Sequence, residues 1–437
     1  MLAQIARNIF QETLARIDAK KAVQRAVKIE NSRLLIEDNE FEIGANPAIY
    51  VIAIGKAAHP MAAGFDEVAG NWIKGGVVSG VIPAVEELGP KWRIFAGGHP
   101  LPTKESFASA RACLELLERA DSERALVVFL ISGGGSAMTE LPRNGEISLA
   151  DLREFNRVLV TSGASIAEIN AVRRTISQVK GGGLAFAAPN AKQISLIISD
   201  TSEGDVSSVA SGPSLLPAKD IPDANAVVEK YRLKEKLPVS TVGVLENCQP
   251  RAAKNLDNGA YVLLDNERTI RQAAQIAQEK GFIVEIDDAE DEFIVEGCEK
   301  LFSRFIQFRH SVKEGRPVCL LSGGEFGCKV MGNGIGGRNS ETVLRLSLLA
   351  RNEKSLLQYA ILSAGTDGID GNSPAAGSVA DETTLKRAES QQMDPLWYLQ
   401  NSNSFSFFDA LGDSIMTGAT GTNVRDIRIL MAKGKRS

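Results

Sequence analysis

Three short segments, Ile49–Ile54 (IYVIAI), Leu126–Ile131 (LVVFLI) and Ile194–Ile198 (ISLII), are apolar almost from end to end. A strand wetted on one face alternates polar with apolar residues. A strand without a polar face has to be covered on both sides, as the strands of a parallel sheet sandwiched between helices are. Ser106–Arg119 and Asp151–Arg157 read as the intervening helices, which gives a βαβ rhythm. A second series follows, with strands at Tyr261–Leu264, Ile283–Ile286 and Val318–Leu321 and helices at Arg268–Lys280 and Asp291–Val312. Between the series a polar stretch, Ala218–Leu237, runs into Pro238 and suits a crossing between domains. A chain of 437 residues is long for one core. The expectation is therefore an α/β fold of two α/β domains, 1–238 and 239–437.

Composition narrows the function classes. With 44% hydrophobic and 24% charged residues the chain is neither disordered nor fibrous. The net charge is −5 and the basic residues cluster only at Lys433, Lys435 and Arg436, so no nucleic-acid footprint is present. Ile5, Ile9, Phe10, Leu14 and Ile17 share one helical face within Met1–Lys28, which reads as an amphipathic helix rather than a signal peptide. No stretch reaches the roughly 18 to 20 apolar residues a bilayer span needs, and a cytoplasmic location is the default expectation. Five cysteines without a CxxC pair read as structural thiols, and three histidines without zinc spacing argue against a histidine metal site.

The glycine-rich loops carry the chemistry. Loops at the carboxyl ends of parallel strands gather at one edge of the sheet, where open α/β folds bind ligands. GKAAHP (Gly55–Pro60) directly follows a strand, and Lys56 there is a point charge suited to a phosphate or carboxylate. SGGGSA offers Ser132, Gly133, Gly134, Gly135 and Ser136, successive backbone N–H groups unobstructed by Cβ atoms at a helix start, as a phosphate nest. KGGG adds Lys180, Gly181 and Gly182 to the expected phosphate-binding set. Asp200 and Asp205, in SDTSEGD, are expected to hold magnesium, which takes a few carboxylates together with water and phosphate oxygens. GNGIGG (Gly332–Gly337) matches GxGxxG, but no acidic residue follows at the distance that would hold a ribose. Arg338 fits better as a planar clamp for phosphate or carboxylate. GTDGIDG (Gly365–Gly371) brings Asp367 to the end of the strand Ala360–Leu362 as a candidate to orient or deprotonate a hydroxyl. CLLSGGEFG (Cys319–Gly327) echoes FLISGGGSA (Phe129–Ala137), either as a second anion device or by coincidence.

Taken in order, IGKAAHPMA, GGHPLP (Gly97–Pro102), SGGGSA, NAVRRTISQVKGG (Asn170–Gly182), SGP (Ser211–Pro213), GGRNSE, GTDGIDG and TGTNVRD (Thr420–Asp426) resemble the glycerate 2-kinases, whose C-terminal part is called the MOFRL domain. The resemblance implies a Rossmann-like three-layer α/β/α N-terminal domain and a smaller α/β C-terminal domain with the MOFRL region at about 315–430, with the active site in the cleft between the domains. It implies ATP and Mg2+, and phosphorylation of D-glycerate on its 2-hydroxyl to 2-phospho-D-glycerate. It puts the family's functional lysine and arginine on Lys56 and Arg338, and Asn339, Glu341 and Thr366 beside the substrate. Glycerate or a similar short hydroxy acid and ATP are the expected partners, a homodimer is compatible with them, and neither nucleic acid nor membrane is expected. Gly183, Glu203, Asn403 and Ala419 depart from the family's usual residues and leave the acceptor open. Two rival readings are an NAD(P)-dependent hydroxypyruvate reductase, often the label given to such chains, and a non-catalytic binder on the same scaffold.

Overall fold

The apolar runs become the middle of a six-stranded parallel sheet. Its strands are β1 (Ile49–Gly55), β2 (Ile73–Gly80), β3 (Trp92–Ala96), β4 (Leu126–Ser132), β5 (Lys192–Ile198) and β6 (Asn258–Leu264). The spatial order is β3-β2-β1-β4-β5-β6, with every neighbouring pair parallel. All seven residues of β1 and of β4 are buried, which is why neither alternates in polarity. The chain moves outward from β1 to β3 and then returns to the other side of β1 as β4. The loops after β1 and β4 therefore depart in opposite directions and leave the crevice in which doubly wound folds bind ligands.

The computed structural model describes residues 1–43, 49–82, 88–201, 206–216, 221–248, 258–287, 291–313 and 315–433. They form two compact units, 19–264, and Met1–Asp18 together with Asp265–Ser437. This division differs from the expected boundary at 238. Asn258–Leu264 hydrogen-bonds to β5 as the last strand of the first sheet, so the chain completes that sheet before it leaves. The expected N-terminal helix is also two helices, Leu2–Arg16 and Ala19–Ala26, and they belong to different units.

The second unit holds a mixed sheet of β7 (Ile283–Asp287), β8 (Val318–Ser322), β9 (Tyr359–Gly365), β10 (Gly377–Asp381), β11 (Ser414–Ile415) and β12 (Asp426–Ala432). Its order is β7-β8-β12-β9-β10-β11. β12 runs antiparallel between β8 and β9. Its first residues therefore lie beside the carboxyl ends of both neighbours, with Asp426 opposite Gly365 and Arg428 opposite Ser322. Helix Leu2–Arg16 buries Ala6, Ile9 and Phe10 on one side of this sheet with Leu362 and Ile429, and helices Ile294–Ser311 and Arg338–Asn352 cover the other with Phe305, Val343 and Leu344. Cys113 and Cys298 are buried in the two units, and burial pushes both thiols up to about 12, as expected of structural cysteines. No helix of the described residues is long and apolar enough to cross a membrane.

Candidate functional site

In the first unit the switch point brings GKAAHP and SGGGSA together. Gly55 has a φ of +120°, and a Cβ there would come within 2.3 Å of the Ser132 carbonyl oxygen, so only glycine permits this approach. The Lys56 backbone N–H donates to the Gly133 carbonyl at 2.9 Å, and the Ala57 N–H donates to Ser132 Oγ at 3.0 Å. Gly134, with φ +81°, starts the one-turn helix Gly135–Met138, where the first N–H groups lack intrahelical partners. A Cβ at Gly134 would lie 3.1 Å from Lys56 Cγ and 3.3 Å from His99 Cδ2, which puts the lysine and an exposed imidazole beside the turn. A Cβ at Gly133 would lie 1.8 Å from Asp200 Oδ2, so the carboxylate at the end of β5 packs directly on the glycine. Lysine, glycine turn and carboxylate thus meet at one place, a suitable cradle for a polyphosphate and one ligand of its cation. Asp205 and Glu203 lie outside the described residues.

In the second unit Arg338 opens helix Arg338–Asn352 and is held by carboxylates. Its Nε donates to Asp426 Oδ2 at 2.6 Å and its Nη2 to Asp426 Oδ1 at 3.1 Å, with Glu325 Oε1 2.8 Å from Nη2. Burial lowers the guanidinium pKa, but Asp426, Glu325 and Asp370 outweigh it and leave the net shift upward. Asp370 caps the helix by accepting from the Asn339 and Ser340 N–H groups at 2.9 and 2.8 Å. Asp367 stands at the end of β9, half-buried, where its Oδ1 accepts from the Ile369 N–H at 3.1 Å.

A family model described as a domain of unknown function, DUF4147, matches residues 5–246, and the MOFRL family model matches residues 318–426. A D-glycerate 2-kinase of Thermotoga maritima is 35% identical over 387 residues, covering 87% of this chain and 90% of the relative. A glycerate 2-kinase of Pyrococcus horikoshii is 34% identical over 450 residues, covering all of this chain and 98% of the relative. The chain belongs to the glycerate 2-kinase family. A crystal structure of a Thermotoga maritima glycerate kinase superposes with a TM-score of 0.82 at 31% identity, covering 99% of both chains.

Within this family frame, several expected binding residues have other tasks. The Gly181 and Gly182 N–H groups, both at positive φ, donate to the Ser211 and Gly212 carbonyls at 3.0 and 2.7 Å. KGGG is thus a clasp on the SGP loop rather than a phosphate nest. Lys180 is 2% exposed, donates to the Ser136 carbonyl at 2.7 Å and forms a buried ion pair with Glu140. It supports the SGGGSA turn from beneath and does not face a nucleotide. Ser132 is likewise buried, its hydroxyl committed to Ala57.

Three expected substrate ligands are also structural. Glu341 is buried in an ion pair with Arg345 at 2.7 Å and accepts from Cys328 Sγ. Thr366 is buried, donates to the Arg425 carbonyl at 2.7 Å and accepts from the Val424 N–H at 2.9 Å, which pins the TGTNVRD loop. Asn339 bridges Asp426 and Ser363 at 3.0 and 2.6 Å and orients Arg338 through its partner. Asp426 and Glu325, which hold Arg338, were legible only as members of the TGTNVRD and SGGEFG motifs.

GNGIGG does not follow a strand. Cβ atoms at Gly332 and Gly334 would lie 2.8 and 2.5 Å from the Asn401 carbonyl oxygen, so these glycines admit a neighbouring turn instead of a pyrophosphate. Asn403 anchors the loop by accepting from the Ile335 N–H at 3.0 Å and from Ser406 Oγ at 2.7 Å.

Proposed function

We propose that this chain is an ATP-dependent glycerate 2-kinase, which transfers the γ-phosphoryl group of ATP to the 2-hydroxyl of D-glycerate and releases ADP and 2-phospho-D-glycerate. The observation that carries the reading is the meeting of Lys56 with the Gly133–Ser136 turn at the switch point of the parallel sheet. Phosphoryl transfer asks mainly for positioning and neutralisation of charge, and these parts supply both. In this reading the turn cradles the polyphosphate and Lys56 neutralises the group in transit. Asp200, with Asp205 as the proposed second carboxylate, would hold Mg2+, which would supply neutralisation of the phosphate charge. Arg338, prealigned by Asp426 and Glu325, has no acceptor paired with its Nη1 among the described residues, and that edge suits the carboxylate of the acceptor. Asp367 is assigned to orient the attacking hydroxyl. A homodimer and a cytoplasmic location belong to the same proposal, and light scattering and cell fractionation test them.

The deciding assay measures ADP release with ATP, Mg2+ and a panel of short hydroxy acids led by D-glycerate, with phosphorus NMR to identify the modified hydroxyl. Glycerate turnover giving the 2-phosphate is expected, and ADP binding without turnover on any acceptor would sink the reading. Lys56→Ala and Arg338→Ala should each lower kcat/KM by about 10²- to 10³-fold, as loss of a preorganised charge at a reacting centre does. The reductase alternative predicts a nicotinamide absorbance change with hydroxypyruvate, which is expected to be absent because GNGIGG is packed against Asn401.

A further inference from the structure

Beside the Gly133–Ser136 turn the first unit has an open cavity of about 780 Å³, lined by Gly134, Ser136 and His99 and by residues of helices Leu149–Val160 and Ile166–Ile176. Apart from Gly134 and Ser136, none of its lining residues was assigned a role in binding from the sequence. A three-carbon hydroxy acid would occupy a small part of this volume, which lies in the range of about 300 to 1,000 Å³ usual for nucleotide- or drug-sized ligands. Apolar side chains of Pro100, Leu101, Pro102, Ala150 and Val160 form part of its lining, with Leu101 and Val160 left 44% and 62% exposed. Cations from the two helices stand among them: Arg153, Arg157 and Arg173. Arg173 reaches the cavity from helix Ile166–Ile176, and its Nε donates to Asn156 Oδ1 at 2.8 Å. Asn156 is itself tied to the Leu152 carbonyl at 2.9 Å, so the guanidinium plane is fixed. Among the described residues no acceptor is paired with the Arg173 Nη groups. Arg153 also lines this space, braced by its bond to the Pro102 carbonyl at 2.9 Å. Of the two carboxylates in the lining, Glu154 is paired with Arg157 at 2.5 Å, and Glu140 is paired with Lys180 and also acts electrostatically on Arg173.

We infer that this cavity is the nucleotide site, in which the apolar side chains of Leu101, Pro102, Ala150 and Val160 take the purine and ribose while Arg173 binds the polyphosphate beside the Gly134–Ser136 turn. The inference rests on the kinase reading for its ligand class and replaces Lys180 by Arg173 as the phosphate-reading cation of the NAVRRTISQVKGG motif. A planar fork held by an amide matches two phosphate oxygens better than a buried, ion-paired ammonium can.

The test uses the full chain. Titration calorimetry with ADP and Mg2+, and separate KM values for ATP and D-glycerate, are measured for the natural protein, for Arg173→Gln and for Ala150→Trp, which fills the cavity from an exposed position. Both variants should raise the ADP Kd and the ATP KM by about tenfold or more, the loss expected when a charge-assisted bidentate contact or its space is removed. The glycerate KM should be unchanged. A raised glycerate KM with unaltered ADP affinity would assign the cavity to the acceptor and overturn the inference, as would unaltered ADP affinity in Ala150→Trp or no ADP binding by the natural protein. If the natural protein binds ADP, loses it in both variants and yet phosphorylates no glycerate, the kinase reading falls and the nucleotide site stands.

Discussion

The two Ser-Gly-Gly loops, Ser132–Ala137 and Ser322–Gly327, leave buried strands of similar sequence and reach different ends. After β4 the loop lies between two parallel strands at the point where the strand order reverses, and its turn stays accessible beside Lys56 and His99. After β8 the neighbouring strand is antiparallel, so its opening residues enter the same space. Arg428 donates to the Gly323 carbonyl while stacked 3.8 Å over the Phe326 ring, and Asn266 Oδ1 accepts from the Gly324 N–H at 2.9 Å. The second loop is filled by protein, whereas the turn of the first stays open, and we propose that a ligand takes that space. Strand direction, a non-local property, decides whether a glycine turn becomes a nest or a joint.

The strongest way to break this comparison is at the support of the first loop. Lys180→Met leaves Glu140 buried and uncompensated, and should lower stability by about 3 to 5 kcal/mol in urea unfolding. Adding Glu140→Leu should recover much of that loss, whereas a loss as large in the double variant would mean that the ion pair is not what holds the turn.

Around Arg338 the comparison is sharpened by pH. Burial raises the Asp370 carboxyl to about 6, although the Ser340 and Asn339 backbone N–H groups act in the opposite direction. A carboxyl with a raised folded-state pKa binds its proton more tightly in the folded protein. Its contribution to stability is therefore present below the unfolded value and falls as pH rises from about 4 to about 6, by about 3 kcal/mol at most. Asp370→Asn should flatten that part of the stability profile; an unaltered slope would clear Asp370 of the effect.

In the second loop, Asn266→Ala should cost about 1 to 3 kcal/mol, because the Gly324 N–H loses its acceptor, with ADP affinity unchanged. Weaker ADP binding would give the second loop a ligand role after all. The smallest effect belongs to Asn403→Asp. Both of its partners are donors, so an aspartate accepts equally well, and stability should move by less than about 0.5 kcal/mol with turnover unaffected.

Much of this was legible in one dimension because periodicity reports how a segment is buried. The runs at Ile49, Leu126 and Ile194 announced strands covered on both faces, and the glycines that end them announced where backbone approaches closely. Lys56 and Arg338 stood out as cations at element ends. Asp426 did not, because it opens a strand and acts on a residue 88 positions away. KGGG looked like a nest because its glycines do adopt positive φ, yet their N–H groups serve Ser211 and Gly212. Arg173 reads as one more polar residue of a surface helix until the neighbouring helix supplies Asn156 and the rest of the cavity lining.

The local sequence by itself determined the elements: which segments are strands, where the chain turns on glycine, and which loops carry charge. Only the tertiary structure decided the partner of each charge. Those partners are strands and loops distant in the chain, brought together by sheet order, and hydrogen-bond acceptors are chosen by proximity in space rather than by position in the sequence.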